Sequence, residues 1–500
     1  MVRRNIIANY LGRGWTIGIG IIVVPIYIKI LGIEAYGLIG FYVSLTVMLG
    51  LLDLGMSSTL VREAAIWGKE RSTENVLTNF PDLFKSIEII SRIAAAFFIV
   101  VIILLSNWLA AVWLDIDTIT IETVIISVSL MGVMVSSRWA ASVYRSALTG
   151  FQEQVWLNGF DAGIATARSI GVVIVLVYFS PTVTAFFLYQ LGLSFIEYYL
   201  ISQKAWNRVG YNYRDRAKFS TVEIRRVWRY AGGVALISIL GALISQADKL
   251  VLPGILSLKE YGYYAVASII GRSISQFAAP ITTAVRPRLI ELVASQETKL
   301  LPEVYHKGCQ ALSLVVIPIT VWLALFSEQI VFVWSGDAAL SQKINQIVSL
   351  LAIGTMLNAL IHIPYSIQLS YGWLRLALVI NLVLVVLIFP MLIYGVINYG
   401  VEAAAWAWVI LNSCYVVFTV SIMHRRFLIG EATTWYVKNF FIPLFTATVL
   451  AVMIKIQDIG ILTRVEWGIA LPFIYLIILL ATSLSMKYPR VWFKELLLRG

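Results

Sequence analysis

The stretch ILGIEAYGLIGF (Ile30–Phe41) returns in related form 225 residues later as ILSLKEYGYYAV (Ile255–Val266). The identical positions are Ile30 with Ile255, Leu31 with Leu256, Tyr36 with Tyr261 and Gly37 with Gly262. Each copy straddles the turn between the first two apolar runs of its half of the chain. Because six runs separate the copies, both have the same orientation, which predicts a parallel internal repeat about an axis along a membrane normal.

The composition indicates a membrane protein. The chain has 500 residues, of which 60% are hydrophobic and 13% charged, whereas soluble domains have about 25% charged residues. Fourteen apolar runs are long enough to cross a hydrocarbon core of about 30 Å. The first is 6–30, the seventh 230–256, the eighth 261–284 and the last 466–486. The sequence therefore predicts an all-α polytopic membrane protein with about fourteen transmembrane helices.

The repeat divides these helices into two six-helix lobes related by a parallel pseudo-repeat, followed by a C-terminal helix pair. The predicted boundaries are 1–203 for the N-terminal lobe, 204–229 for a basic cytoplasmic linker, and 230–423 for the C-terminal lobe. Residues 424–500 form the terminal helix pair and a cytoplasmic tail. Every loop is too short to be a soluble domain, and the outer loops are especially short.

The distribution of Lys and Arg predicts the orientation. Most of the 38 basic residues lie in the N-terminus, in the even-to-odd loops and in the C-terminal tail. Because basic loops stay on the cytoplasmic side, both termini are expected in the cytoplasm. The net charge of +11 then follows from topology, and it does not indicate nucleic-acid binding.

Several charged and polar residues fall inside the apolar runs, where they are costly and mark functional sites by default. Arg168 and Arg272 lie near the middle of their spans, one in each half, about 15 Å from either surface. Guanidinium groups bind phosphate in a bidentate manner and stay charged at physiological pH. The sequence thus predicts a cationic central cavity for a phosphate-bearing anion, with ion pairs that only hold helices together as the alternative. The predicted substrate-binding residues are Arg13, Arg138, Arg168, Arg272, Asn9 and Gln276.

A second set of ionisable residues is predicted to serve gating or ion coupling. Its members are Asp161, Glu197, Asp248, Lys249 and His362. Asp248 follows about 27 Å of helix, so it and Lys249 lie in the outer part of the seventh span, before Pro253. An outer gate or a contact between lobes is the favoured role for this pair. For His362, a packing role is the alternative.

Motifs of hydrolytic and cofactor chemistry are missing from the sequence. We find no nucleotide-binding glycine loop and no HExxH motif. The cysteines, Cys309 and Cys414, lie within spans and indicate neither a disulfide framework nor a metal site. We therefore expect no cofactor, no metal and no enzymatic activity.

Three motifs resemble those of Wzx-type polysaccharide and O-antigen flippases, which belong to the multidrug/oligosaccharidyl-lipid/polysaccharide (MOP) exporter superfamily. They are the LGIEAYG turn (Leu31–Gly37), LLDLGM (Leu51–Met56) and YRSALTGFQ (Tyr144–Gln152). In the second half, ADKLVLPGILSLKEYGYYAVA (Ala247–Ala267) adds to the resemblance. It covers nearly the whole chain and agrees with fourteen spans.

The resemblance implies a flippase of a bacterial inner membrane. Its substrate would be an oligosaccharide repeat unit linked to undecaprenyl pyrophosphate, carried from the cytoplasmic to the outer leaflet by alternating access. Membrane lipid, a glycan polymerase and a chain-length regulator are the implied partners. The pyrophosphate would meet the four arginines, and Asp161, Glu197 and Asp248 would carry a coupling proton or sodium ion.

Three other functions remain open from the sequence. A cation-coupled multidrug exporter and a flippase for the peptidoglycan lipid precursor belong to the same superfamily. A membrane polymerase or ligase for lipid-linked glycans is an enzyme of a different class. The short outer loops argue against such an enzyme, because it needs a sizeable outer loop to build its site.

Overall fold

A computed structural model describes residues 2–51, 53, 55–72, 79–296, 299–457 and 463–491 of the chain. Within these ranges the named elements are all helices, and a single isolated bridge joins Asp115 to Ser257. The predicted all-α class is confirmed.

Backbone contacts divide the chain into two compact units, Met1–Gly262 and Tyr263–Gly500. In the first unit the helices are α1 (Val2–Leu31), α2 (Ile33–Leu51), α3 (Met56–Ser72), α4 (Phe80–Trp108), α5 (Ile121–Gly150), α6 (Gln154–Tyr178), α7 (Val183–Val209), α8 (Tyr211–Arg216), α9 (Thr221–Ser245), α10 (Ala247–Val251) and the start of α11 (Leu258–Arg272). A π-helical turn, Leu109–Trp113, continues α4, and a 3-10 turn, Leu252–Gly254, follows α10. The finer division into two lobes, a linker and a terminal pair stays a prediction.

After α11, the second unit continues with α12 (Ile274–Ala294), α13 (Leu301–Leu325), α14 (Ser327–Ser335), α15 (Ala338–Leu360), α16 (His362–Ser370), α17 (Leu374–Tyr399), α18 (Glu402–Cys414), α19 (Val420–Phe427), α20 (Ala432–Thr434), α21 (Ile442–Ile456) and α22 (Arg464–Ser485). Two π-helical segments, Tyr415–Thr419 and Trp435–Phe441, join α18 to α19 and α20 to α21.

Twelve helical stretches among the described residues are long and apolar enough to cross a membrane. The seventh and eighth predicted runs, 230–256 and 261–284, are not among the stretches found in the described residues. The chain leaves α9 after Ser245, and α11 stops at Arg272 before α12 begins. A membrane protein with many spans is therefore confirmed, and the number fourteen stays a prediction.

The repeated segments touch each other at their paired glycines. A Cβ on Gly37 would collide with the carbonyl oxygen of Leu258, and a Cβ on Gly262 would collide with that of Ile33. One residue before Gly262, the hydroxyl of Tyr261 lies 2.8 Å from that of Ser44. The start of α11 therefore packs against α2 with the two backbones in direct contact, which only glycine allows at such close approach.

The segment before the N-terminus of α5 is bound to the start of α2 by a carboxylate. Glu34, which is 6% exposed, accepts hydrogen bonds from the backbone N–H groups of Asp117 and Thr118 at 2.8 and 2.9 Å. Gly32, with φ of +85°, separates α1 from α2 and so directs Glu34 to this segment. Buried polar groups need such partners, and this contact holds the segment that leads into α5 against α2.

The helices α5, α6 and α7 pack against one another in the first unit, and α1 packs along α6. The Tyr189 hydroxyl on α7 donates to the carbonyl of Ala167 on α6 at 3.0 Å. Trp15 on α1 donates its indole N–H to the Thr166 hydroxyl at 2.8 Å. These two contacts hold α7 and α1 against α6.

Candidate functional site: a charge cluster on three membrane helices

Three helices of the first unit carry polar residues at spacings that keep each set on one face. Arg138 and Arg145 lie seven residues apart on α5, and Asp161 and Arg168 lie seven apart on α6. Residues four and seven apart share a helix face. On α7 the corresponding residues are Gln190, Ser194 and Glu197.

Glu197 lies at the centre of this charge cluster. Its Oε2 accepts a hydrogen bond from Arg168 Nη2 at 2.7 Å, and its Oε1 accepts one from Arg145 Nη2. The carboxylate is 4% exposed, so both guanidinium groups balance a charge that water barely reaches. Removing one partner of such a buried pair is far more costly than breaking a surface pair.

Two further hydrogen bonds of Arg168 are also directed to α7, whereas its Nε is buried and makes no hydrogen bond with a described residue. Its Nη1 donates to Gln190 Oε1 at 2.7 Å, and its Nη2 also donates to the Ser194 hydroxyl at 3.0 Å. The Arg168 side chain is 13% exposed. Arg168 is thus bound to α7 in this structure. This arrangement agrees with the alternative prediction, in which ion pairs only hold helices together.

Arg145 has a second carboxylate partner, Asp161, through its Nη1. The Asp161 side chain is 39% exposed and that of Arg145 is 28% exposed. This end of the cluster therefore reaches the surface of the protein, whereas the Glu197 end is buried.

Arg138 differs from the other two arginines in its partner. Its Nη1 donates to the Tyr42 hydroxyl on α2 at 2.6 Å. Among the described residues, none of the ion pairs within 4.0 Å includes Arg138. With three arginines and two carboxylates, the cluster carries a formal charge of +1 inside membrane-length helices, and Arg138 supplies the excess.

A second buried carboxylate in the first unit serves as a contrast. Glu88 on α4 accepts hydrogen bonds from Arg92, Tyr144 and Trp206 at 2.7, 2.7 and 3.0 Å. Lys85 lies 3.1 Å from its other oxygen. These groups connect α4, α5 and α7 within the aromatic core, so we assign Glu88 a role in packing.

In the second unit, three of the predicted site residues, Arg272, Gln276 and His362, lie close to points where one helix ends and the next begins. The guanidinium of Arg272, the last residue of α11, lies 4.6 Å from the centre of the Trp408 ring, a cation–π contact. Gln276 lies beyond the break at Ser273 and is exposed. Likewise His362 is the first residue of α16, which begins after α15 has ended at Leu360.

The other predicted residues have more limited descriptions. Asp248 is 5% exposed and Lys249 is half-buried, both in the short helix α10. The backbones of Asn9 and Arg13 belong to α1, but their side chains lie outside the described residues. The binding and gating roles assigned to all these residues stay predictions, as does a shared cavity for Arg168 and Arg272.

Two members of the cluster were missed by the sequence reasoning. Arg145 lies one residue beyond the fourth apolar run predicted from the sequence, 119–144, whereas α5 continues to Gly150. Its seven-residue spacing from Arg138 is the signal that identifies it. Tyr42 carries no such signal, because a tyrosine within an apolar run is ordinary.

Solved structures share this fold. The structure of the lipid II flippase MurJ in an inward closed conformation matches with a TM-score of 0.69 at 12% identity, covering 98% of this chain and 99% of that one. The MATE multidrug transporter DinF-BH matches with a TM-score of 0.61 at 15% identity, covering 85% and 95%. Together with the twelve membrane-length helices, this likeness defines a multi-pass membrane protein with the fold of MOP-superfamily transporters.

The sequence comparisons give the family. The profile of the family described as "Polysaccharide biosynthesis protein" matches residues 2–293. The protein named "Putative O-antigen transporter" from Shigella flexneri is 22% identical over 384 residues, which are 76% of this chain and 87% of that protein. The chain therefore belongs to the polysaccharide biosynthesis protein family, and its relatives are transporters. The predicted resemblance is confirmed as far as this family and the fold of MOP-superfamily transporters.

Proposed function

We propose that this protein is a flippase for oligosaccharide repeat units linked to undecaprenyl pyrophosphate. It carries them from the cytoplasmic to the outer leaflet of a bacterial inner membrane by alternating access, with both termini in the cytoplasm. The repeat units are precursors of O-antigen or exopolysaccharide, and a glycan polymerase and a chain-length regulator act on them afterwards. Family membership and the name of the Shigella flexneri relative support this substrate class.

The environment of Arg138 is the observation that best supports the proposal. Arg138 brings a half-buried guanidinium into a membrane helix, and its described partner is a neutral hydroxyl. A charged side chain inside a membrane is energetically costly, and such residues usually serve a function. A guanidinium binds phosphate oxygens with two parallel hydrogen bonds. The excess charge of the cluster suits an anionic cargo and disfavours a cationic drug.

Arg138→Ala is expected to slow cargo movement about tenfold, which corresponds to about 1.4 kcal/mol of lost interaction. The measurement uses proteoliposomes that contain the protein and a fluorescent N-acetylglucosamine linked to undecaprenyl pyrophosphate. A membrane-impermeant quencher added outside the vesicles then reports how fast the label moves between the two leaflets of the vesicle membrane. Arg138→Lys keeps the charge and is expected to retain an intermediate rate, because a lysine binds phosphate without the bidentate geometry.

The matched control is Arg208→Ala, since the Arg208 side chain is 54% exposed and pairs with Glu153 outside the cluster. Its rate is expected to equal that of the wild type.

If the wild-type protein moved a cationic dye and did not move the pyrophosphate lipid, it would be a multidrug exporter. Strong preference for the peptidoglycan lipid precursor would identify the other alternative. A full rate for Arg138→Ala would exclude the cationic mechanism.

A further inference from the structure

We propose that Asp161 is an internal competitor of the cargo, and that its carboxylate occupies Arg145 until a cargo phosphate replaces it. This inference rests on the proposed function and adds a loading and release step to it. The same arginine would then bind a protein carboxylate in the empty state and a phosphate in the loaded state.

The two carboxylates on Arg145 differ in how firmly they are held. Glu197 is 4% exposed and uses its two oxygens for two different arginines. Asp161 is 39% exposed, and among the described residues its ion pair is with Arg145 alone. An exposed ion pair contributes little to stability, whereas a buried one is costly to break. Glu197 is therefore the fixed partner of Arg145, and Asp161 is the exchangeable one.

The geometry of the guanidinium permits this exchange. Arg145 binds Glu197 through Nη2 and Asp161 through Nη1, so the two anions use different nitrogens of the group. A guanidinium has five N–H donors, two of them on Nη1, and these can donate to phosphate oxygens. The departure of Asp161 frees Nη1 while Glu197 keeps the side chain in place.

The position of Arg145 along α5 fits a loading step. Arg138 and Arg145 share one face of α5 and are separated by about 10 Å along its axis, at 1.5 Å per residue. In the proposed orientation α5 runs from the outer to the inner side, so Arg145 lies nearer the cytoplasm. A pyrophosphate that enters from the cytoplasm would meet Arg145 first and Arg138 afterwards. The return of Asp161 to Arg145 would then favour the forward movement of the cargo.

Asp161→Asn tests this role, because it removes the competing charge and keeps the size of the side chain. The cluster charge rises from +1 to +2, so undecaprenyl pyrophosphate should bind about tenfold more tightly, measured in nanodiscs. At saturating cargo, transport in proteoliposomes should become several-fold slower, since Asp161 no longer takes Arg145 back. A side chain with only a structural role would instead weaken both binding and transport when it is replaced.

The neutral lipid undecaprenol provides the ligand control, and Glu153→Gln provides the protein control. Glu153 also forms exposed ion pairs, with Lys204 and Arg208, but outside the cluster. Asp161→Asn should bind undecaprenol with the same affinity as the wild type does. Glu153→Gln should bind undecaprenyl pyrophosphate with the same affinity as the wild type does. Unchanged or weaker binding of undecaprenyl pyrophosphate by Asp161→Asn overturns the inference alone, as does tighter binding with unchanged or faster transport. If the wild type binds undecaprenyl pyrophosphate no better than undecaprenol, the proposed function fails and the inference fails with it.

Discussion

Glu197→Gln is expected to lower the free energy of unfolding by about 3–5 kcal/mol, the usual cost of removing one partner from a buried ion pair. The neutral amide would leave Arg145 and Arg168 facing each other without the carboxylate that both now bind. Neither guanidinium can lose its proton to relieve this, because arginine stays charged in proteins. The thermal unfolding midpoint of the purified protein in detergent is the measurement.

The control for this variant is Glu153→Gln, which removes exposed ion pairs with Lys204 and Arg208. It should change stability by no more than about 1 kcal/mol. The double variant Arg168→Gln with Glu197→Gln should recover part of the loss, since it removes one charge of each sign. An unchanged midpoint for Glu197→Gln would mean that the cluster does not contribute to folding.

Gly37→Ala is the second change with a large expected effect, a loss of about 2–3 kcal/mol of stability, which is the upper part of the range for overpacking. The added methyl group would meet the carbonyl oxygen of Leu258, which belongs to the backbone and cannot rotate away as a side chain can. Helix α2 and the start of α11 would have to separate. Gly262→Ala should have a similar effect, because its methyl group would meet the carbonyl oxygen of Ile33.

Gly20→Ala is the matched control for the glycine contact. Gly20 lies within α1, and a Cβ there would have no heavy atom within 4 Å. Since alanine is a better helix former than glycine, this variant should be unchanged or more stable by up to about 1 kcal/mol. Equal unfolding midpoints for Gly37→Ala and Gly20→Ala would show that the contact tolerates a side chain.

Much of the fold could be predicted from sequence because membrane insertion depends on local composition. Twelve membrane-length helices follow from apolar runs that can be read directly. The helix limits within runs 230–256 and 261–284 could not be predicted in the same way. Apolar composition does not locate a helix break such as those after Ser245 and Arg272. A run that is apolar on both sides of a break looks continuous.

The candidate site was predicted in part. Arg138, Arg168, Asp161 and Glu197 attract attention because ionisable side chains are expensive inside a membrane. Arg145 was missed because the end of a helix cannot be located to within one turn from composition alone.

The sequence by itself determined which helices can enter a membrane and which charged residues they must bring with them, since both depend on the transfer cost of each residue. Only the tertiary structure decided that Glu197 joins Arg145 to Arg168, and that Arg138 pairs with Tyr42. It also decided that Gly37 and Gly262, matched in the repeat, touch each other. These pairings depend on the rotation and spacing of helices that are far apart in the chain, and no local pattern specifies those quantities.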